Sequence, residues 1–80
     1  MYKDSRTRIT EFVYDYIEEF GKENEKGELV AKKLLSHKEI ANLTNTSRQT
    51  VNNVMSTLRK DAVIKYDSKF ISIKKDLIQE

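Results

Sequence analysis

The chain has 80 residues, of which 38% are hydrophobic and 35% charged, and its formal net charge is +2. This length supports one small hydrophobic core but not two, and no apolar run approaches the roughly 20 residues needed to span a bilayer. The absence of cysteine excludes disulfides, thiolate metal sites and cysteine nucleophiles. The N-terminal residues lack the apolar segment of a signal peptide, so we expect a cytoplasmic location.

The charge is distributed unevenly along the chain. Residues 1–35 hold seven Lys/Arg and eight Asp/Glu, whereas residues 36–80 hold eight Lys/Arg and five Asp/Glu. The basic excess therefore lies in the second half of the chain, where it would favour a nucleic-acid partner. Scatter in a small sample explains the difference about as well, so charge alone does not decide between them.

Apolar side chains recur at helical spacing over residues 4–20 and predict a first helix with one buried face. These side chains are Ile9, Phe12, Val13, Tyr16, Ile17 and Phe20. The opposite face carries acidic residues and should be solvated. We expect Gly21 to end the helix in the left-handed conformation that glycine tolerates. The polar segment over residues 21–28 predicts an exposed loop.

The segment over residues 29–35 fits either a short strand or one helical turn, because periodicity cannot separate the two at this length. We favour a short strand over residues 33–35, since a new helix begins directly afterwards. Ser36 stands three residues before Glu39, which is the spacing of a capping box.

The pattern over residues 36–60 predicts two helices joined by a tight turn. Ser47 can cap the second helix. Asn45 lies where the chain reverses, and asparagine suits this position because it tolerates the left-handed conformation. In the first helix we expect Ile40, Ala41 and Leu43 to face inward. The buried stripe of the second helix is predicted to be Val51, Val54, Met55 and Leu58. Its outward face then carries only polar side chains: Gln49, Asn53, Ser56 and Lys60, flanked by Asn52 and by Arg48 in the first turn.

After residue 61 the apolar period changes from helical to alternating, which predicts a β-hairpin over residues 62–74 with its turn at residues 67–69. A polar tail follows, with a frayed helical turn around Leu77 and Ile78. Three helices followed by a hairpin form a winged helix-turn-helix. We therefore predict a single α+β domain over residues 1–80, with a three-helix core and a C-terminal hairpin wing.

The segment over residues 35–73 resembles the C-terminal DNA-binding domain of the Crp–Fnr superfamily of bacterial transcription regulators. That family opens its recognition helix with a serine, an arginine, usually a glutamate, and then Thr-Val. This chain has Ser47, Arg48, Gln49, Thr50 and Val51 at those positions. The first helix is also similar to the one that opens the family domain. Asn45 replaces the usual turn glycine, which its tolerance of the left-handed conformation permits.

The resemblance implies sequence-specific binding of double-stranded DNA, with the helix over residues 47–60 in the major groove and the wing on the phosphate backbone. The side chains predicted to read bases are Arg48, Gln49, Asn52 and Asn53. Many family members have a glutamate in place of Gln49 and an arginine in place of Asn53. Because Gln and Asn pair best with adenine, we predict A·T pairs where the family usually has G·C pairs.

The predicted phosphate contacts lie at the starts of the two helices, along the second helix and at the wing tip. They are His37, Lys38, Ser47, Thr50, Ser56, Lys60, Ser68 and Lys69. Simpler interpretations exist, since Ser47 is a cap in any case, and Lys38 and Lys69 are equally well explained as solvated surface lysines. A metal site at His37 is disfavoured, because it is the only histidine and there is no cysteine.

By the same resemblance, the whole regulator would carry an N-terminal sensor domain and a dimerisation helix. Neither is recognisable in these residues, so we expect a fragment more than a stand-alone domain. We expect a homodimer through the missing segment, RNA polymerase as a further candidate partner, an association with the nucleoid, and no cofactor in this domain. The sequence has no recognisable catalytic inventory, so we do not expect an enzyme.

A winged helix can also serve as a protein-interaction module that does not bind DNA. Such a surface should expose apolar or aromatic anchors. The outward face of the second helix of the pair is polar instead, which favours DNA over this alternative.

Overall fold

The structure is a computed structural model and describes residues 4–77. Its helices are α1 (Ser5–Phe20), α2 (His37–Thr44) and α3 (Arg48–Lys60), and its strands are β1 (Lys22–Glu23), β2 (Glu28–Lys32), β3 (Ile64–Tyr66) and β4 (Phe70–Lys74). The strands form one antiparallel sheet in the order β1-β2-β4-β3. The predicted α+β winged-helix architecture is thus confirmed.

Asp4 caps the start of α1, and its carboxylate accepts the backbone N–H of Thr7 at 2.8 Å. Its inward face buries Ile9, Val13 and Ile17, as the apolar spacing predicts. The last aromatic residue of that stripe departs from the prediction, because the side chain of Phe20 is 64% exposed. It lies at the end of the helix, beyond the core.

Gly21 does end α1, but not in the left-handed conformation that we expected. Its backbone is extended (φ −84°, ψ 157°), and its N–H donates to the carbonyl of Ile17 at 2.7 Å. A Cβ atom at this position would lie 2.3 Å from that carbonyl oxygen. Glycine is therefore needed here for close backbone approach rather than for a positive φ.

The predictions for the segment between α1 and α2 are wrong in two respects. Residues 21–28 are not simply a loop, because β1 pairs with β2 through a turn in which Gly27 has a φ of 77°. The predicted strand over residues 33–35 is absent, since the strand of this segment is β2, which ends at Lys32. The β4 strand selects that register: Leu29 faces Ile73 and Ala31 faces Ile71, so the inward residues pair apolar with apolar.

One hydrophobic core lies between the helices and the sheet. The buried side chains are Ile9, Val13, Ile17, Ala31, Ile40, Ala41, Val51, Val54, Met55, Ile64, Ile71 and Ile73. Leu58 packs against this core but is only partly buried. Leu43 was predicted to face inward and is instead 62% exposed. Thr44 takes the inward place, and its hydroxyl donates to the carbonyl of Ile40 at 2.7 Å, which satisfies the buried oxygen.

The ends of α2 and α3 use the same motif, in which two backbone N–H groups return to carbonyls of the last turn. After α2, Asn45 and Thr46 donate to Asn42 and Ala41. After α3, Ala62 and Val63 donate to Arg59 and Leu58. Each motif needs a left-handed residue, and the chain supplies Asn45 (φ 55°), as predicted, and Ala62 (φ 59°).

The tail prediction is confirmed in part. Residues Lys75–Leu77 form a short 3-10 turn after β4. Ile78, the other residue predicted for that turn, lies outside the described residues.

Ala62 is a position where a substitution should stabilise the fold. An alanine in the left-handed region is strained by about 1–2 kcal/mol, and the side chain is exposed and makes no core contact. We expect Ala62→Gly to raise the free energy of unfolding by about 0.5–1 kcal/mol, after the greater entropy of glycine in the unfolded chain is subtracted. Urea denaturation measures this change.

The matched control is Ala41→Gly, which replaces an alanine within α2. It should lower stability, because glycine is unfavourable inside a helix. A destabilising Ala62→Gly would contradict the strain assigned to this position.

Candidate nucleic-acid interface

The helix α2 starts with the predicted capping box. The hydroxyl of Ser36 accepts the N–H of Glu39 at 3.1 Å, and the carboxylate of Glu39 accepts the N–H of Ser36 at 2.9 Å. The hydrogen bond from the Ser36 backbone holds the pKa of the Glu39 carboxyl below its ordinary value. The start of α2 is therefore well defined, which fixes the position of His37 and Lys38 in its first turn.

The turn between α2 and α3 is secured from three sides. The backbone returns from Thr46 to Ala41 at 2.9 Å. The hydroxyls of Thr44 and Thr46 lie 2.9 Å apart. From α1, the guanidinium of Arg8 donates to the carbonyls of Thr44 at 3.2 Å and Asn45 at 3.4 Å. The angle between the two helices is thus held by all three helices of the domain.

The start of α3 is capped by Ser47. Its hydroxyl accepts the backbone N–H of Thr50 at 3.1 Å and lies 2.7 Å from the Thr50 hydroxyl. Both hydroxyls therefore already have a partner within the protein. The positive end of the helix macrodipole faces outward here, beside the exposed Arg48.

The outward face of α3 carries the side chains predicted to contact DNA. Arg48, Gln49, Asn52, Asn53, Ser56 and Lys60 are all exposed. The opposite face is buried through Val51, Val54 and Met55. The helix thus separates its residues cleanly into a core face and a polar face.

His37 lies between the two helices rather than free in solvent. Its Nδ1 atom is 2.5 Å from Oδ1 of Asn52 on α3. Its Nε2 atom is buried and has no hydrogen-bond partner in the part of the chain that the structure describes. The ring also meets the ring of Tyr66 edge-on, with centroids 6.3 Å apart. The phosphate contact predicted for His37 would therefore require the ring to turn.

Tyr66 joins the wing to the end of α3, which the sequence reasoning missed. The guanidinium of Arg59 lies 4.5 Å from the centre of its ring, and the ammonium of Lys33 lies 4.9 Å from it. Such cation–π contacts stabilise a pair by about 0.5–1 kcal/mol at exposed sites. They also bring one cation from α3 and one from the segment after β2 to the same ring of the wing. In the sequence, only the aromatic residue in β3 pointed to this contact. Which cations lie against its ring can be seen only in the folded structure.

The wing tip is an ordered turn between β3 and β4. The carboxylate of Asp67 accepts the backbone N–H groups of Lys69 and Phe70, each at 2.8 Å. The N–H of Asp67 donates to the carbonyl of Phe70 at 3.0 Å. Ser68 and Lys69 are exposed at this tip.

The arrangement offers polar and cationic groups but no metal centre. Within residues 4–77, no three His, Cys, Asp or Glu side chains come together in a way that could hold a metal ion. No helix over the same residues is both long and apolar enough to cross a membrane. The exposed side chains on the outward face of α3 are polar or cationic.

A comparison with protein families identifies the domain. The family model of the Crp-like helix-turn-helix domain matches residues 7–76. The chain belongs to the Crp-like helix-turn-helix family. It is accordingly a DNA-binding domain of the Crp-like type, as the sequence resemblance implied.

Solved structures of similar fold support this family. Reduced CprK without ligand is 21% identical, with a TM-score of 0.82 over 96% of this chain and 36% of that chain. A CooA mutant from Carboxydothermus hydrogenoformans is 27% identical, with a TM-score of 0.78 over 96% of this chain and 35% of that one. The imidazole-bound CO-dependent transcription factor CooA from that organism is also 27% identical, with a TM-score of 0.76 over 92% and 34% of the two chains. No curated protein matches the chain.

The Crp-like domain should show a wing-tip carboxyl that titrates unusually low. The N–H groups of Lys69 and Phe70 hold the pKa of the Asp67 carboxyl below its ordinary value of 3.8. The stability contributed by this carboxylate is thus present above the ordinary pKa and is lost as the pH falls through the lowered one. We expect the amide resonances of Lys69 and Phe70 to titrate below pH 3.8.

The matched control for this titration is Asp67→Asn, whose amide oxygen can accept the same N–H groups without titrating. In that variant the two resonances should not shift over the same pH range. A midpoint at or above the ordinary value in the unaltered chain would contradict the geometry of the tip.

Proposed function

We propose that the domain binds double-stranded DNA sequence-specifically, with α3 in the major groove and the wing on the phosphate backbone. The observation that carries this proposal is the exposed, wholly polar outward face of α3 opposite a buried apolar stripe. A major groove about 12 Å wide admits one helix, and side-chain amides and guanidinium groups match the edges of bases there.

In this proposal Arg48, Gln49, Asn52 and Asn53 read bases. Arg48 contacts guanine through its two parallel N–H groups, and the amides of Gln49 and Asn53 pair with adenine. The side chains of Gln49 and Asn53 have no hydrogen-bond partner among residues 4–77, so both ends of each amide are available to a base. The half-site should therefore contain A·T pairs at the positions these amides face.

Phosphate contacts position the domain without reading sequence. The exposed cations Lys38, Lys60 and Lys69 supply charge at the start of α2, at the end of α3 and at the wing tip. Ser56, Ser68 and the start of α3 at Ser47 and Thr50 supply hydroxyl and N–H donors. His37 belongs to this group only if its ring leaves Asn52.

The regulator as a whole would extend beyond this domain. The chain spans about a third of the length of its solved relatives, and CooA is a CO-dependent transcription factor. We propose a homodimer formed outside this domain that meets two half-sites about one helical turn apart. RNA polymerase is a candidate partner of that dimer, which would act in the cytoplasm on the nucleoid.

A protein-docking module is the second candidate function. The observation that favours it is a set of exposed apolar side chains, which are Phe20 (64%), Leu34 (71%), Leu43 (62%) and Phe70 (46%). None of them belongs to α3, so such a surface would lie apart from the polar face of that helix. This second function would be favoured if the domain bound a partner protein and did not bind DNA.

The wing-tip lysine should contribute to the salt dependence of DNA binding. Each neutralised phosphate contributes roughly 0.9 to the slope of log K against log salt on B-DNA. We expect Lys69→Ala to weaken binding of all sequences uniformly and to reduce this slope by about 1. Fluorescence anisotropy over a salt series measures both effects.

Lys26→Ala is the control, because it removes the same charge at the other end of the sheet. The register of β2 with β4 runs from Glu28–Lys74 beside Lys26 to Lys32–Phe70 beside the wing tip. The control should leave the slope nearly unchanged. Equal effects of the two substitutions would show that Lys69 acts only through net charge.

The amide of Gln49 should determine one base pair of the site. We expect selection from random DNA to return adenine at the position that Gln49 faces, and Gln49→Glu to change that preference to cytosine, whose exocyclic amine is a donor. Each good pairing discriminates by about 1–3 kcal/mol. Selected sites with G·C pairs at every reading position would contradict this assignment.

A further inference from the structure

The contact between His37 and Asn52 joins a residue predicted to bind phosphate to one predicted to read bases. Their side chains meet at 2.5 Å, from Nδ1 of the ring to Oδ1 of the amide. The two residues lie on different helices, since His37 opens α2 and Asn52 lies in the middle of α3. Asn52 is exposed and His37 is half-buried. The half-buried ring of His37 therefore restricts the exposed amide of Asn52.

The hydrogen bond to Asn52 requires one tautomer of the His37 ring. A neutral imidazole has one N–H donor and one acceptor nitrogen, and an amide oxygen can only accept. With Nδ1 facing Oδ1, the contact is a hydrogen bond in the tautomer whose proton lies on Nδ1, which leaves Nε2 as the acceptor. This agrees with the burial of Nε2 without a partner, since a buried N–H left unpaired is rare.

The surroundings keep the ring in this position. Tyr66 contacts its edge from the wing, and Arg59 and Lys33 hold the tyrosine ring in turn. His37 is thus packed between α3 and the wing, and cannot turn to solvent without leaving both contacts. Asn52 consequently keeps its oxygen toward the protein and leaves its NH₂ group for a partner outside.

We propose that His37 is a positioning residue that makes Asn52 a donor-only base reader and so sets its preference to guanine. Guanine presents two acceptors in the major groove, N7 and O6, and an NH₂ group matches both. Adenine presents one acceptor and one donor, and pairing with it needs the amide oxygen that His37 already occupies. Asn53, which has no such partner among the described residues, keeps the adenine preference. This inference rests on the proposed function.

Neighbouring asparagines on one helix would therefore read different bases. Their side chains are chemically identical, and the difference comes from a histidine on another helix. The specificity of Asn52 is thus set by a residue that does not contact the base.

A measurement without substitution tests the proton position. The chain contains one histidine, so the imidazole ¹⁵N resonances in the full 80-residue protein are assigned without ambiguity. We expect Nδ1 to have the shift of a protonated nitrogen and Nε2 that of an unprotonated one. The opposite tautomer would require the Asn52 amide to donate to the ring, and would overturn the inference.

Selection of binding sites from random DNA tests the consequence. The unaltered chain should prefer guanine at the position whose preference is lost in Asn52→Ala. His37→Phe keeps an aromatic ring against Tyr66 but frees the amide, and we expect it to shift the guanine-to-adenine ratio at that position about tenfold toward adenine. The preference at the position read by Asn53 should not change.

Two controls separate positioning from a general structural effect. Lys38→Ala, at the neighbouring residue of α2, should lower affinity for all sites without changing base preference. In the Asn52→Ala background, His37→Phe should have no further effect on base preference, because its action passes through Asn52. A change in preference that persists in this background would overturn the inference.

The outcomes also separate this inference from the proposed function. If the unaltered chain selects no sequence, the proposed function fails and the inference fails with it. If it selects a defined site and His37→Phe keeps the same base at the Asn52 position, the inference alone is overturned.

Discussion

The direction in which the polar face of α3 points depends on how the turn after α2 is closed. Asn45 takes a left-handed conformation, which lets the backbone of Thr46 return to α2 and sends α3 away at a fixed angle. Arg8 then ties the same turn to α1 through two carbonyl oxygens. Because α2 and α3 bury their apolar faces in one core, the polar face of α3 is turned away from that core.

Contacts between elements that are distant in sequence also fix the other side of α3. His37, Tyr66, Arg59 and Lys33 connect the start of α2, the end of α3 and the wing through an amide hydrogen bond, an edge-on ring contact and two cation–π contacts. Each contact is weak by itself, but together they make the wing and α3 a single surface. A domain of this size has a small hydrophobic core. The polar contacts therefore help to hold the wing in place against α3.

The sequence predicted correctly those structural features that depend only on residues close together in the chain. The capping box at Ser36 and Glu39 and the turn at Asn45 each involve residues within a few positions of one another, so spacing was sufficient to predict them. The strand prediction at residues 33–35 failed because β2 is selected by β4, about 40 residues further along the chain. Gly21 ended its helix as expected, but for a steric reason that only the backbone path reveals.

The candidate site divides in the same way. Helical periodicity placed Gln49, Asn53 and Lys60 on one exposed face, because that face depends only on α3 itself. The pairing of His37 with Asn52 depends on where a second helix lies, and the cations on Tyr66 depend on the wing. No pattern along the chain carries that information. The individual contacts could therefore be identified only from the fold. The polar character of the α3 surface could be predicted from the sequence alone.

We propose that the polar face of α3 is the surface that meets DNA. Nuclear magnetic resonance titration of the labelled chain with a selected half-site tests it most directly, because side-chain NH₂ groups report their own contacts. We expect the largest shifts on the NH₂ groups of Gln49, Asn52 and Asn53, and smaller ones at the wing tip. Shifts confined to the surface of Phe20 and Leu34, with α3 unchanged, would contradict it.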